Sequence, residues 1–337
     1  MHIPVSIIIV NYNGKVYLDR CLDSLKWTTH YSGLEVLVID NNSDDDSVNL
    51  VREKYPDVKV LELRENVGFA RANNLAAKEA KGDLYVFLNN DTIVTKSWLS
   101  ELVKAVTENE KEVAIAQSLL LLGQDGEIDS SGDFIDKFGR AYSSKLSNVP
   151  DGREILSARA ASMVIRKEVF WKLGGFEEDF FASFEDVHLG WKAWIAGYKV
   201  ILASNSVVYH FAGQTVKNLK TELNFHSMKN QVCIILLNFE FPLSIKNLFS
   251  LLPLYKPSII PKDTKNGQKV YIDDLNTMSP AIYANPILLK DILRTFLWIC
   301  IHSGAIYKKY KQIQKMRILS TDRLAKKGLI TDKRFEK

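Results

Sequence analysis

The stretch LYVFLNND, residues 84–91, decides the fold. Leu84 to Leu88 is an unbroken apolar run of strand length, and it stops at Asn89-Asn90-Asp91-Thr92. A continuous apolar run of this kind reads as a strand covered on both faces, as in a parallel sheet under helices. The same punctuation recurs toward the N-terminus. Val5 to Val10 ends at Asn11-Tyr12-Asn13-Gly14, Glu35 to Ile39 ends at Asp40-Asn41-Asn42, and Val58 to Leu63 ends at Glu65-Asn66-Val67-Gly68. Helical patterns fill the intervals: YLDRCLDSLKW with Leu18, Cys21, Leu22 and Leu25 on one face, SVNLVREKY, and LAAKEAKG with Gly82 as its stop. This alternation predicts βαβαβαβ, an α/β fold with a mostly parallel sheet flanked by helices.

In such sheets ligands bind beyond the carboxyl ends of the strands. Asn, Asp and Gly make turns and helix caps, which accounts for any one of these ends singly. Four polar ends in succession on one edge predict a ligand crevice. Asp91, with Asn89 two residues before it, offers hard oxygen ligands to a divalent cation, and on an extended segment the two side chains would point the same way. A cation held mainly by one carboxylate keeps positions open for phosphate oxygens. Asp40 and the Asn11/Asn13 loop would then hold a nucleoside.

Composition sets wide bounds. The 337 residues are 46% hydrophobic and 25% charged, with a formal net charge of +4. That is an ordinary globular balance, and its total makes no case for nucleic acid. Basic residues concentrate after Tyr307, either as a solvated helical end or as a patch for an anionic surface such as a membrane leaflet. Cys21, Cys233 and Cys300 lie far apart in apolar contexts and read as reduced core residues, neither a disulfide framework nor a zinc site. The N-terminal apolar run is too short to span a membrane and lacks a basic flank, so the expectation is a cytoplasmic protein.

Past about residue 215 the alternation gives way to helical, aromatic-rich stretches broken by prolines. A boundary is set there, giving an α/β domain over 1–215 and a mainly helical C-terminal region over 216–337. Val232 to Leu237 and Ile287 to Ile301 come in amphipathic blocks suited to peripheral contact with a membrane. A helical subdomain or dimer interface is the alternative.

The ordered motifs VSIIIVNYNG, EVLVIDNNSDDDS, ENVGFARANN, YVFLNNDT, then ARAASMVIRKEVFWKLGGFEEDFFASFEDVHLGW and VVYHFAG, resemble the family 2 glycosyltransferases of GT-A fold. The subgroup they look most like contains rhamnosyltransferase-like enzymes of polysaccharide assembly. The resemblance covers residues 3 to 215 and implies roles position by position. Asp40 would contact base or ribose, with Asn11 and Asn13 closing over it, and Asn66, Gly68 and Arg71 would line the nucleotide side. Asp91 matches the last position of the metal-binding DxD, with Asn89 in place of the first Asp, and His210 matches a distal metal ligand. Asp186 matches the base that takes the acceptor proton, and Glu185 would orient it or the acceptor. Sequence pattern alone makes Asp186 a helix N-cap. His188 departs from the subgroup's usual second Asp.

The implied activity is inverting transfer of a sugar from a UDP- or dTDP-sugar to a glycan or lipid-linked acceptor, assisted by Mg²⁺ or Mn²⁺, at the cytoplasmic face of a membrane. Two rivals stand beside it. A nucleotidyltransferase would need a glycine- and Arg-rich phosphate loop after the first strand, where NYNGKVYLDR has one glycine. A non-catalytic glycan- or lipid-binding module would have kept the fold alone.

Overall fold

The apolar runs over 5–10 and 84–88 become strands whose alternate side chains enter two different cores. Ile7, Ile9, Leu84, Val86 and Leu88 join one core, while Ile8, Tyr85 and Phe87 join the other, all at most 2% exposed. Burial on both faces is why these runs show no polar alternation. The computed structural model describes residues 3–28, 31–123, 125–211, 220–251 and 289–331. The elements are β1 (Val5–Asn11), α1 (Lys15–Ser24), β2 (Leu34–Asp40), α2 (Ser47–Lys54), β3 (Lys59–Glu62), α3 (Phe69–Glu79), β4 (Leu84–Leu88) and β5 (Thr92–Val94). Then come α4 (Trp98–Thr107), β6 (Val113–Leu122), β7 (Ile128–Ser130), β8 (Asp133–Asp136), β9 (Ala141–Ser143), β10 (Ser162–Arg166), α5 (Lys167–Lys172), α6 (Glu185–Ile195) and β11 (Lys199–His210). The chain continues with α7 (Lys220–Asn238), α8 (Leu243–Leu251), α9 (Leu289–Lys315), α10 (Thr321–Lys326) and β12 (Ile330–Thr331).

The main sheet runs β3-β2-β1-β4-β10-β6-β11-β5, with β7 beside β6. Its first four strands are parallel, as the alternation predicts. Beyond β4 the sheet is mixed: β10 is antiparallel to both β4 and β6, β6 and β11 are parallel, and β5 returns antiparallel on β11. That last pairing sets His210 opposite Thr92, and the amide of Phe211 donates to the Asp91 carbonyl at 2.8 Å. A second, three-stranded sheet, β12-β8-β9, is built largely from the segment after Gly123.

Two sequence expectations are corrected in the C-terminal helices. Val232, Cys233, Ile234, Ile235 and Leu237 of α7 are core residues, joined by Ile306 and Ile313 of α9 in the cluster that also contains Phe87. Their apolar character serves burial against α6 and α9. Cys300, expected in the core, is exposed on α9, whereas Cys21 and Cys233 are buried. Residues 252–288, which hold most of the expected proline-broken stretch, lie outside the described residues.

Trp98 at the start of α4 fastens the mixed half of the sheet. Its indole donates to Ser162 at 2.8 Å and Ser118 at 3.2 Å, and Ser206 donates back to the Trp98 carbonyl at 2.9 Å. One fully buried side chain therefore ties β10, β6 and β11 together. Trp98→Phe should cost about 1 kcal/mol, chiefly the lost indole hydrogen bonds, and Trp98→Ala about 3–5 kcal/mol. Urea unfolding followed by circular dichroism checks both, and an unchanged midpoint in Trp98→Phe would deny the hydrogen bonds a role.

Candidate active site

The lip of the sheet is laced by amides. After β4 the chain turns at once, so Asn89 and Asp91 sit on a turn and the extended-strand argument for their common direction does not hold. Asn90 on that turn donates to Asn11 Oδ1 at 2.8 Å, and Asn11 Nδ2 donates to Asp40 Oδ1 at 3.1 Å. The ends of β4, β1 and β2 are thereby locked in register. Asp40 Oδ2 accepts from the Ser43 amide at 2.8 Å, and Asn13 Oδ1 from the Asp44 amide at 2.8 Å. Asn66 Oδ1 accepts from Asn41 Nδ2 and the Gly68 amide, at 2.8 and 3.0 Å. Asn11, Asn13, Asp40, Asn66 and Gly68 thus gather on one edge. Arg71 is half-exposed on α3, its guanidinium 3.9 Å from Glu178.

Asp91 and His210 meet. The β5–β11 pairing places His210 Nε2 3.4 Å from Asp91 Oδ1, and both side chains are nearly buried. Asp91 Oδ1 is buried without a hydrogen-bond partner, as is Asn89 Oδ1. A buried carboxylate oxygen left in this state costs free energy unless something fills its lone pairs. On its other side His210 Nδ1 lies 2.8 Å from Asp129 Oδ2, the arrangement that fixes a ligating imidazole with Nε2 facing the ion. Burial alone would lower the His210 pKa, but Asp129 and Asp91 outweigh it and raise it to about 9. Asp129 itself, though buried, is held down to about 2 by His210 and Arg159. Among the described residues no group of three or more His, Cys, Asp or Glu encloses an ion. Asp91 Oδ1 and His210 Nε2 are donors of the kind a divalent cation takes, and such an ion would complete its shell from a ligand.

Arg159 joins this pair to the second half of the site. Its guanidinium reaches Asp129 at 3.1 Å and Asp133 at 2.9 Å, and also donates to Ser143. Asp186 lies within its field. The Asp186 carboxyl is pushed up to about 6, first by burial and then by the Asp133 charge, with Arg159 opposing both. α6 begins at Glu185 with Phe184 as its cap, so Asp186 is a first-turn residue and not the N-cap expected from sequence. Its oxygens accept from the Val187 amide at 2.7 Å and the Ala160 amide at 3.3 Å. Ala160 therefore supplies a backbone donor to the base candidate.

Glu185 beside it is 6% exposed, with Oε2 unpartnered, and burial plus the Asp186 charge raise it to about 8. His188 is wholly buried, its ring 5.4 Å from that of Phe180, and burial holds its pKa well below the ordinary value. A neutral core residue thus occupies the position of the subgroup's second carboxylate.

Sequence reasoning missed Asp129, Asp133 and Arg159. Asp129 and Asp133 lie in IDSSGD, a short polar run without period, and Arg159 lies inside the motif ARAAS, where nothing local marks it as an ion-pair partner.

Residues 6–174 match Glycosyl transferase family 2, and the chain belongs to that family. It is 32% identical over 223 residues to the O-antigen biosynthesis protein RfbC of Myxococcus xanthus, covering 61% of this chain but only 17% of that protein's length. It is 25% identical over 248 residues to N-acetylglucosaminyl-diphospho-decaprenol L-rhamnosyltransferase of Mycobacterium tuberculosis, covering 65% of this chain and 80% of that one. Among solved structures, GalNAc-T7 with UDP, GalNAc and Mn²⁺ superposes with a TM-score of 0.58 at 18% identity, over 72% of this chain and 49% of that one. Staphylococcus aureus TarS with UDP-GlcNAc gives 0.54 at 18% identity, over 74% and 71%. These likenesses establish the GT-A fold.

The raised Glu185 has a thermodynamic consequence. Folded protein keeps a proton that the unfolded chain releases, so the stability present below the ordinary carboxyl value of about 4.3 erodes as pH rises toward 8. Glu185→Gln should accordingly be more stable than the parent at pH 8, by at least about 1 kcal/mol, with the advantage vanishing near pH 4. Urea midpoints at the two pH values measure it.

Proposed function

We propose that the chain catalyses inverting transfer of a sugar from a nucleoside diphosphate donor, a UDP- or dTDP-sugar, to a hydroxyl of a glycan or lipid-linked acceptor. The observation that carries this reading is the pairing of two half-sites through Arg159. One is the buried, unsatisfied Asp91 oxygen facing His210, and the other is Asp186, a raised carboxyl on a partly exposed residue. Asp91, His210 and Asn89 would hold a divalent ion, Mg²⁺ or Mn²⁺. Such an ion supplies Lewis-acid neutralisation of charge on a departing diphosphate. The polar edge formed by Asn11, Asn13, Asp40, Asn66 and Gly68 would take the nucleoside, and Arg71 the phosphate side.

Asp186 takes the proton of the acceptor hydroxyl. The acceptor oxygen forms its bond to the anomeric carbon as the bond to the β-phosphate oxygen breaks, and the electron pair leaves with the nucleoside diphosphate. Glu185, kept neutral by burial, orients the acceptor or Asp186. The two carboxyls then play different parts because their surroundings separate their proton affinities.

The acceptor side includes a membrane leaflet in this reading. No helix of the described residues is long and apolar enough to cross a membrane. α9 does present Leu293, Phe296, Leu297 and Ile301 outward at helical spacing, each at least 59% exposed, with Lys290, Lys308 and Lys311 also exposed. An apolar face rimmed by lysines suits shallow insertion among anionic lipids. Anionic lipid is characteristic of the cytoplasmic leaflet, which supports a position on that face.

Nucleoside diphosphate release from UDP-, dTDP- and GDP-sugars with Mn²⁺ tests the donor site. One donor should react, and Asp91→Ala should abolish metal-dependent binding of it. Asp186→Asn should bind that donor normally while kcat falls about 10²–10⁴-fold. In the parent, kcat/KM should fall as pH drops through about 6, tenfold per unit, because protonation removes the base. Wild-type turnover by Asp186→Asn would end the base assignment, and absence of metal-dependent binding in the parent would favour a non-catalytic module. Flotation with anionic vesicles should be lost in Phe296→Glu/Leu297→Glu, and equal flotation would sink the membrane reading.

A further inference from the structure

The segment that delivers Asp186 is held in a conformation its own sequence disfavours. Phe181, Ser183 and Phe184 have φ of 55°, 73° and 71°, left-handed values that bulky residues rarely adopt. Such backbone persists only where its surroundings over-determine it. Two helices do so here. On one side the Phe181 carbonyl accepts from the amides of Phe69 and Ala70, at 2.6 and 3.3 Å, at the start of α3. Gly68 lies so close that a Cβ there would sit 2.6 Å from that carbonyl oxygen.

On the other side stands Asn230 of α7, wholly buried. Its carboxamide nitrogen lies 2.8, 3.0 and 2.7 Å from the carbonyls of Phe180, Ala182 and Ser183, its two hydrogens shared among the three acceptors. Its neighbours on α7 grip the same segment. Lys229 donates to the Asp179 carbonyl, and the His226 ring stacks on Phe181 with centroids 4.8 Å apart. Lys309 of α9 adds ion pairs to Glu177 and Asp179, at 2.6 and 2.5 Å.

We infer that Asn230 is a positioning residue for the transfer reaction: it gathers three carbonyls of the strained 180–184 segment and so fixes where Asp186 meets the acceptor hydroxyl. This rests on the reading of Asp186 as the base. It gives the helices after β11 a part in catalysis, from a residue outside the 6–174 span that matches the family. Asn230 touches no reacting atom. A misplacement of about 1 Å in a general base lowers turnover about a hundredfold without weakening donor binding.

The test is a double-mutant cycle on the full chain, read by nucleoside diphosphate release from the panel above, with UDP/Mn²⁺ calorimetry and hydrogen exchange. Asn230→Ala should lower kcat about ten- to a hundredfold and leave the donor KM and UDP/Mn²⁺ affinity within twofold. Amide exchange should quicken over 181–187 and at the Phe69 and Ala70 amides that donate to Phe181, and not over β4. Adding Asn230→Ala to Asp186→Asn should cost nothing further, since both act through one carboxylate. Losses that multiply, a wild-type kcat in Asn230→Ala, or unchanged exchange over 181–187 would each overturn the inference. An active Asp186→Asn would instead overturn the base reading, and this inference with it. Asn230→Ser, which keeps one donor, carries the same cycle if the alanine variant does not fold, and where both fold it should recover part of the lost kcat.

Discussion

The antiparallel pairing of β5 with the end of β11 is the constraint on which the site depends. Asp91 and His210 are 119 positions apart (210 − 91) and meet because His210 stands opposite Thr92 in that register. A slip of one residue would turn His210 to the other face of the strand. The amide of Phe211 on the Asp91 carbonyl, at 2.8 Å, and the serine ladder beneath Trp98 hold the strands against such a slip.

Around that pairing the protein arranges charge with little water to screen it. Asp129 and Asp133 flank Arg159, and Asp129 also holds His210. Partnered ions of this kind tolerate burial, whereas a lone buried carboxyl gives up its charge. Glu185, next to Asp186 and far from a cation partner, follows the second course. The site therefore contains carboxyls in both protonation states near neutral pH.

The C-terminal helices belong to the same packing problem. α7 and α9 bury Ile234, Ile235, Leu237 and Ile313 in the core that covers one face of the sheet, and the same two helices grip residues 177–184. Packing and site geometry are thus coupled through one loop. What α9 leaves outside, the Leu293 to Ile301 stripe, is the largest apolar feature of the helix that this core does not use.

The sequence by itself determined the parallel half of the sheet and the polar edge at its strand ends, because periodicity and turn chemistry are local properties. Asp91 was legible from its place at the end of a buried strand, whereas His210 and Asp186 were legible as candidates through motifs that resemble a family. Tertiary structure alone decided the rest. It turned β10 and β5 antiparallel, made core of Val232 to Leu237, set Asp186 inside the first turn of α6, and brought Asp129, Asp133, Arg159 and Asn230 to the site. Those residues act through burial and through partners tens of positions away, and neither is written in the local pattern of a sequence.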